Sequence, residues 1–152
     1  MATTTLQAGT RTALTTSALD LLNSATYIVA GTIDVSALDP VDYLVEVTVT
    51  PGTVATPKQV AVFAKISTDT VSTNFTSGPE TGTGTTDESN LYLLGVIPCN
   101  SNATPQTKTF SIFSALGFVP PFCKIIVKNE TGAQLAASGH SVYVTPITAI
   151  TA

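Results

Sequence analysis

Apolar and polar residues alternate along much of this chain, and the alternation predicts β-strands. The segment 43–50 places every second residue on one apolar face, which is the pattern of a strand with one side buried. That face consists of Tyr43, Val45, Val47 and Val49. The segment 59–67 repeats the pattern with Val60, Val62, Ala64 and Ile66. We expect these two faces to meet in the core, since burial explains apolar residues at every second position.

Six more segments have strand character, and they are separated by turn signals rich in Gly, Pro and Asn. They are 26–36, 70–76, 91–97, 107–113, 122–128 and 141–147. Helical spacing is confined to 16–23, where Leu19 and Leu22 lie three apart, and to a single turn at 114–118. The chain is therefore predicted to be all-β, as a jelly-roll-type antiparallel β-sandwich of about eight strands with an extended N-terminal arm.

The N-terminal part differs from the rest, which divides the chain into residues 1–25, an arm with a short helical turn, and residues 26–152, a single β-sandwich domain. Residues 1–18 are small and hydroxyl-rich, and Leu6 and Leu14 are their only large apolar residues. Such a segment either frays or becomes ordered on a neighbouring subunit. We expect the second, with Leu6 and Leu14 as apolar contacts and Arg11 paired with a carboxylate of the partner.

Residues 77–90 contain no large apolar residue and three glycines. The segment is predicted to be an exposed, poorly restrained loop in which a protease that cuts after glutamate would act first.

The amino-acid composition argues against several classes of function. Charged residues are only 11% of the chain, and the 28 Thr and 12 Ser replace them. The six cations are scattered, which argues against nucleic-acid binding, and no apolar run is long enough to predict a membrane span. The N-terminus has neither the basic nor the apolar region of a secretion signal, so synthesis in a cytoplasm is expected.

Candidate catalytic residues are few. The single histidine, His140, lies in a predicted turn and is interpreted as an exposed turn residue. Asp34 and Asp42 flank a turn, and we interpret them as solvated carboxylates in preference to calcium ligands. Cys99 and Cys123 are interpreted as half-buried thiols, with a disulfide as the alternative. The sequence predicts no enzyme, no cofactor and no metal site.

A resemblance to a known family supplies a positive hypothesis. The segment 119–146 reads VPPFCKIIVKNETGAQLAASGHSVYVTP, and the segments 42–47 and 91–97 read DYLVEV and LYLLGVI. Across roughly residues 40–147 this pattern of strands and turns resembles the jelly-roll cement, or head decoration, proteins of tailed bacteriophage capsids.

The resemblance implies a structural protein of the virion. Such a protein binds the major capsid protein on the capsid exterior as a homodimer or homotrimer, after synthesis in the host cytoplasm, and has no active site. The alternative is a glycan- or host-binding β-sandwich module of a phage tail, baseplate or head fibre. Neither hypothesis involves nucleic acid or a membrane.

Overall fold

A computed structural model describes residues 3–35, 39–54, 58–67 and 69–151. Within them are nine strands, one short α-helix and one 3₁₀ turn at Glu88–Asn90. The strands are β1 Thr4–Ala8, β2 Thr12–Thr15, β3 Tyr27–Asp34, β4 Asp42–Val49, β5 Gln59–Ile66, β6 Tyr92–Pro98, β7 Gln106–Ser111, β8 Phe122–Glu130 and β9 Ser141–Thr151, and the helix is α1 Ile112–Leu116. Residue 36 of the first predicted strand and residues 1 and 2 of the arm lie outside the described residues.

The strands form two antiparallel sheets. Sheet A has the order β1-β9-β4-β7, with β2 also paired to β9, and sheet B has the order β3-β8-β5-β6. Four of the pairings nest inside one another along the chain: β5 with β6, β4 with β7, β3 with β8, and β2 with β9. The all-β sandwich predicted from the alternation is confirmed.

The core lies between the sheets and contains both predicted apolar faces. In β4 the buried and half-buried residues alternate strictly, and Val45, Val47 and Val49 have no exposed surface. In β5 the residues from Val60 to Ile66 are all buried, including those that point away from sheet A. A strand buried on both faces implies that another part of the chain covers the outer face of sheet B, and residues 77–91 lie there.

Two predicted elements do not form. Residues 16–23 are a series of turns, although Leu19 and Leu22 are buried as their spacing suggested. Main-chain bonds from Leu21 N to Ala136 O and from Leu135 N to Leu22 O hold these turns, so tertiary contacts override the weak helical pattern. The predicted strand 70–76 is wrong, since its only ladder contact is an isolated bridge of Phe75 to Ser67. The predicted turn at 114–118 belongs to α1, which begins at Ile112.

His140 is buried, with 4% of its surface exposed, so the prediction of an exposed turn residue is wrong. The Thr50 main-chain N–H donates to Nδ1 at 3.1 Å, and Nε2 lies 3.0 Å from the Ala136 carbonyl oxygen. An Nδ1 that accepts leaves Nε2 to donate to the Ala136 carbonyl, so the ring bridges two loops.

Both cysteines are buried, and both thiols are free. Burial raises the pKa of Cys99 to about 11 and that of Cys123 to about 12. A thiol of such high pKa is a poor nucleophile and a poor metal ligand at neutral pH, so these side chains act as small apolar residues.

Candidate functional site

The predicted N-terminal arm is ordered within its own chain. β1 and β2 follow one another along the same edge of β9, with Leu6 opposite Ala149 and Ala13 opposite Tyr143. This differs from the expectation that the arm needs another subunit to become ordered. The segment has little apolar surface, but β9 offers it an edge of main-chain donors and acceptors.

The N-terminal end of the arm belongs to a two-stranded extension of sheet A. The pairing of β4 with β9 stops where Asp42 lies opposite Ile147. Beyond that point, residues 148–151 of β9 pair only with residues 4–7 of β1. We call these two stretches the N-terminal ribbon. Every residue of β1 is exposed, and Leu6 keeps 70% of its surface in solvent. The ribbon contains no charged residue.

The two faces of the ribbon have different surroundings. Leu6 and Ala149 continue the outer face of sheet A, which also contains Asp42 and Glu46. Thr148 and Ile150 continue the inner face, beyond the part of that face that packs on sheet B. Because Ile150 is 43% exposed, apolar side chains remain in solvent on both faces.

The other two predicted contact residues are satisfied inside the chain. The Arg11 guanidinium pairs with Glu46 and lies 3.4 Å from the centre of the Tyr143 ring. Leu14 packs against the core beside Gly31, where an added Cβ would lie 2.7 Å from the Leu14 Cβ. Leu6 is the most exposed of the three, Arg11 keeps 48% of its side chain in solvent, and Leu14 is partly buried.

A groove of about 510 Å³ lies beside the ribbon, between the edges of the two sheets. Its lining combines apolar side chains with hydroxyls and consists of Gly9, Thr10, Thr12, Leu14, Thr32, Ile33, Asp34, Tyr43, Val144, Pro146 and Thr148. Burial raises the pKa of Tyr43, and the negative charge of Asp34 raises it further, so the phenol stays protonated and can donate a hydrogen bond. The groove offers hydroxyl and carboxylate groups as hydrogen-bond partners.

The opposite face of the sandwich is closed by a charged strap, residues 77–91. Glu80 accepts hydrogen bonds from Lys65 at 2.8 Å and from Lys124 at 2.9 Å, and Lys65 also donates to the Gly78 carbonyl. Burial alone would raise the pKa of Glu80, but the two lysines outweigh it and hold that pKa below its usual value. The Lys65 side chain is only 8% exposed, whereas Glu80 keeps 34% of its side chain in solvent.

A second contact fixes the other end of the strap. The Tyr27 hydroxyl donates to Glu88, and that bond is the main reason the pKa of Glu88 lies below its usual value. Lys128 contacts Glu88 at 3.1 Å and Glu130 at 3.0 Å. Most residues of 77–90 are exposed as predicted, but the segment is held at both ends, and the prediction of a poorly restrained loop is wrong.

A small apolar cluster lies under the strap and completes its attachment to sheet B. It consists of Tyr27, Ala61, Phe63, Leu91 and Ile126, with Val29 and Val96 at its margin. Leu91 is the apolar anchor, and it follows directly after the 77–90 segment in which no anchor was found. The lysines of β5 and β8 that bind the strap, Lys65, Lys124 and Lys128, thus have a structural role, and the strap covers the part of the outer face of sheet B that lies over this cluster.

Two other kinds of site are absent from the described ranges. No helix there has the length and apolar character to cross a membrane. No group of three or more His, Cys, Asp or Glu side chains in those same ranges is placed to hold a metal ion.

Comparison of the chain with protein-family models, curated proteins and solved structures gives no match. The ribbon, the groove beside it and the closed face of sheet B are therefore the features from which a function has to be inferred.

Proposed function

We propose that this protein is a capsid cement, or head decoration, protein that binds the outside of a tailed-phage capsid and stabilises the lattice of the major capsid protein. The observation that carries the proposal is the N-terminal ribbon, which projects from the sandwich without charge and with Leu6 70% exposed. An uncharged projection with two exposed large apolar side chains, Leu6 and Ile150, suits contact with another protein surface.

The strand pairing supports this proposal through the fold. The nested pairs β5–β6, β4–β7, β3–β8 and β2–β9 are what results when one long antiparallel hairpin is wound into two sheets. We infer that the sandwich is a jelly roll, which is the architecture that the resemblance to phage cement proteins implies.

The charge distribution supports the proposal independently. The strap binds three of the six cations, Lys65, Lys124 and Lys128, to its own glutamates, and Arg11 pairs with Glu46. The ribbon itself therefore meets a partner without a charged side chain that has to lose water. We expect the ribbon to face the capsid shell and the strap to face away from it.

The same hypothesis implies where the protein is made and how it assembles. The chain is synthesised in the host cytoplasm, associates as a homodimer or homotrimer, and binds the capsid exterior where major capsid protein subunits meet.

Binding to empty expanded capsids of the encoding phage tests the proposal, with the amount of co-sedimented protein as the readout. Leu6→Asp places a charge on the ribbon and should reduce binding at least tenfold. Leu93→Asp is the matched control, since Leu93 is 54% exposed on β6 of the other sheet. If wild type does not bind, or if both variants bind like wild type, the proposal is wrong.

The groove favours one second function, the recognition of a glycan by a tail, baseplate or head-fibre module. Its Thr hydroxyls, the Asp34 carboxylate and the protonated Tyr43 phenol are groups that bind sugar hydroxyls. Tyr43→Phe with Thr32→Val should then abolish binding to host polysaccharide and leave capsid binding unchanged. If the protein is a capsid cement protein, neither wild type nor the variant should bind polysaccharide.

A further inference from the structure

The free edge of β1 is an unprotected strand edge of a kind that proteins usually avoid. The other three sheet edges are each interrupted or charged: β7 carries Lys108, β6 has a register shift at Gly95 and ends at Pro98, and β3 has a register shift at Gly31. Charges, prolines and bulges are the usual means of preventing edge-to-edge pairing. β1 reads TTLQA, has a regular register over its whole length, and carries none of these devices.

The hydrogen bonding of β1 shows which main-chain groups face outward. Gly9 N donates to Pro146 O at 2.8 Å, so these two residues occupy a hydrogen-bonded position of the antiparallel ladder. Such positions alternate along a strand, which turns the N–H and C=O groups of Gln7 and Thr5 toward β9. The groups that point to the free edge belong to Thr4, Leu6 and Ala8.

We infer that β1 pairs with β1 of a second copy of this chain, antiparallel and across a two-fold axis at Leu6. That axis places Leu6 opposite Leu6 and Thr4 opposite Ala8, and every outward N–H and C=O of the three residues then has a partner. An axis moved by one residue leaves one of the three without a partner. Sheet A becomes continuous across the two copies.

The side chains agree with this arrangement. The Leu6 side chains of the two copies form a cross-strand pair on one face, which covers the most exposed large apolar side chain among the described residues. Each copy has a net charge of −4, but no charged residue lies in β1 to oppose its symmetry mate. A five-residue edge buries little area, so the dimer is weak in dilute solution and strengthens when both copies are bound to one surface.

This inference deepens the proposed function, because it names the oligomer partner of the same ribbon. A symmetric cross-link tests it directly. Residues in a hydrogen-bonded antiparallel pair have Cα atoms about 5.5 Å apart, which matches the usual Cα separation in a disulfide. Under mild oxidation at high protein concentration, Leu6→Cys should form a disulfide-linked dimer of twice the 15.6 kDa chain mass. The native thiols, Cys99 and Cys123, are buried and do not compete.

Thr4→Cys is the matched control. Its symmetry mate lies four residues along the opposing strand, about 13 Å away at 3.3 Å per residue, and does not cross-link. The double variant Thr4→Cys/Ala8→Cys should cross-link again, because those two residues face each other. Equal cross-linking of Leu6→Cys and Thr4→Cys, or none in either Leu6→Cys or the double variant, overturns the inference.

A second variant tests the pairing without a cross-link. The Leu6 N–H points to the free edge, so Leu6→Pro keeps the pairing with β9 and removes a donor from the dimer. Sedimentation equilibrium over rising concentration should show wild type approaching the dimer mass and Leu6→Pro remaining a monomer. If wild type also stays a monomer and Leu6→Pro still abolishes capsid binding, a shell subunit occupies the edge, and the dimer is wrong while the proposed function stands.

Discussion

Replacing Glu80 by glutamine tests whether the strap is held by charge. In wild type the carboxylate accepts from Lys65 at 2.8 Å and from Lys124 at 2.9 Å, and the Lys65 side chain is 8% exposed. The Gln side chain keeps the shape and one acceptor oxygen, but it removes the negative charge that compensates the nearly buried ammonium of Lys65, which then faces only neutral acceptors, among them the Gly78 carbonyl. Fully buried pairs lose about 3–5 kcal/mol when one partner is removed.

The stability lost on replacing Glu80 is smaller than for a fully buried pair, because Glu80 keeps 34% of its side chain in solvent. We expect a loss of about 2 kcal/mol in the free energy of unfolding, between the values for exposed and buried pairs. For a chain of this size, that loss lowers the Tm by about 4–8 °C. Thermal unfolding followed by circular dichroism measures it.

Glu46→Gln is the control, because Glu46 pairs with Arg11 on the surface and its removal should leave the Tm nearly unchanged. Lys65→Met combined with Glu80→Gln removes the uncompensated charge and should recover part of the loss. The pKa of Glu80 lies below its usual value of 4.5 in the folded protein, so its contribution is present above pH 4.5 and disappears as the pH falls through the lowered pKa. Equal Tm values for Glu80→Gln and wild type at pH 7 would refute this assignment of the strap contacts.

Three further predictions concern the core and its edges. Gly31→Ala should lower the free energy of unfolding by about 1–3 kcal/mol, because the new methyl would meet Leu14 Cβ at 2.7 Å; denaturant unfolding measures the loss, and an unchanged midpoint contradicts it. Asn129→Ala removes a fully buried amide that serves two main-chain carbonyls, with an expected cost of about 3 kcal/mol in the same assay, and a cost below 1 kcal/mol would contradict the network. Cys99 and Cys123, whose pKa values are raised to about 11 and 12, should react with a thiol reagent at pH 8 only on unfolding, and rapid reaction of the native protein would show that they are accessible.

Much of the sandwich follows from period-two alternation. The residues of β4 and β5 were predicted correctly because one strand face is buried and the register allows no slip. The helical turn predicted at 16–23 did not form. Two leucines three residues apart indicate burial, but they do not determine the backbone conformation between them. There, main-chain bonds to the loop before β9 decide the conformation.

Local sequence patterns could not predict the strap contacts or the partners of the buried polar residues. Glu80 and Lys124 are 44 residues apart, and His140 finds its partner at Thr50, 90 residues away. At the candidate site, small size and hydroxyl content correctly suggested an extended backbone for Thr4–Ala8 and Thr12–Thr15. They could not show that β9 offers its second edge to β1 and β2, an arrangement that places Arg11 beside Glu46 and Leu14 against the core.

Imaging of phage heads tests the proposed cement function most directly. Cryo-electron microscopy of virions of the encoding phage, with and without a deletion of this gene, should show added density on the outer surface of the capsid only when the chain is present. That density should return when purified protein is added to the deleted virions, and it should not return with Leu6→Asp. Density on the tail or baseplate, or identical heads with and without the gene, would contradict the assignment.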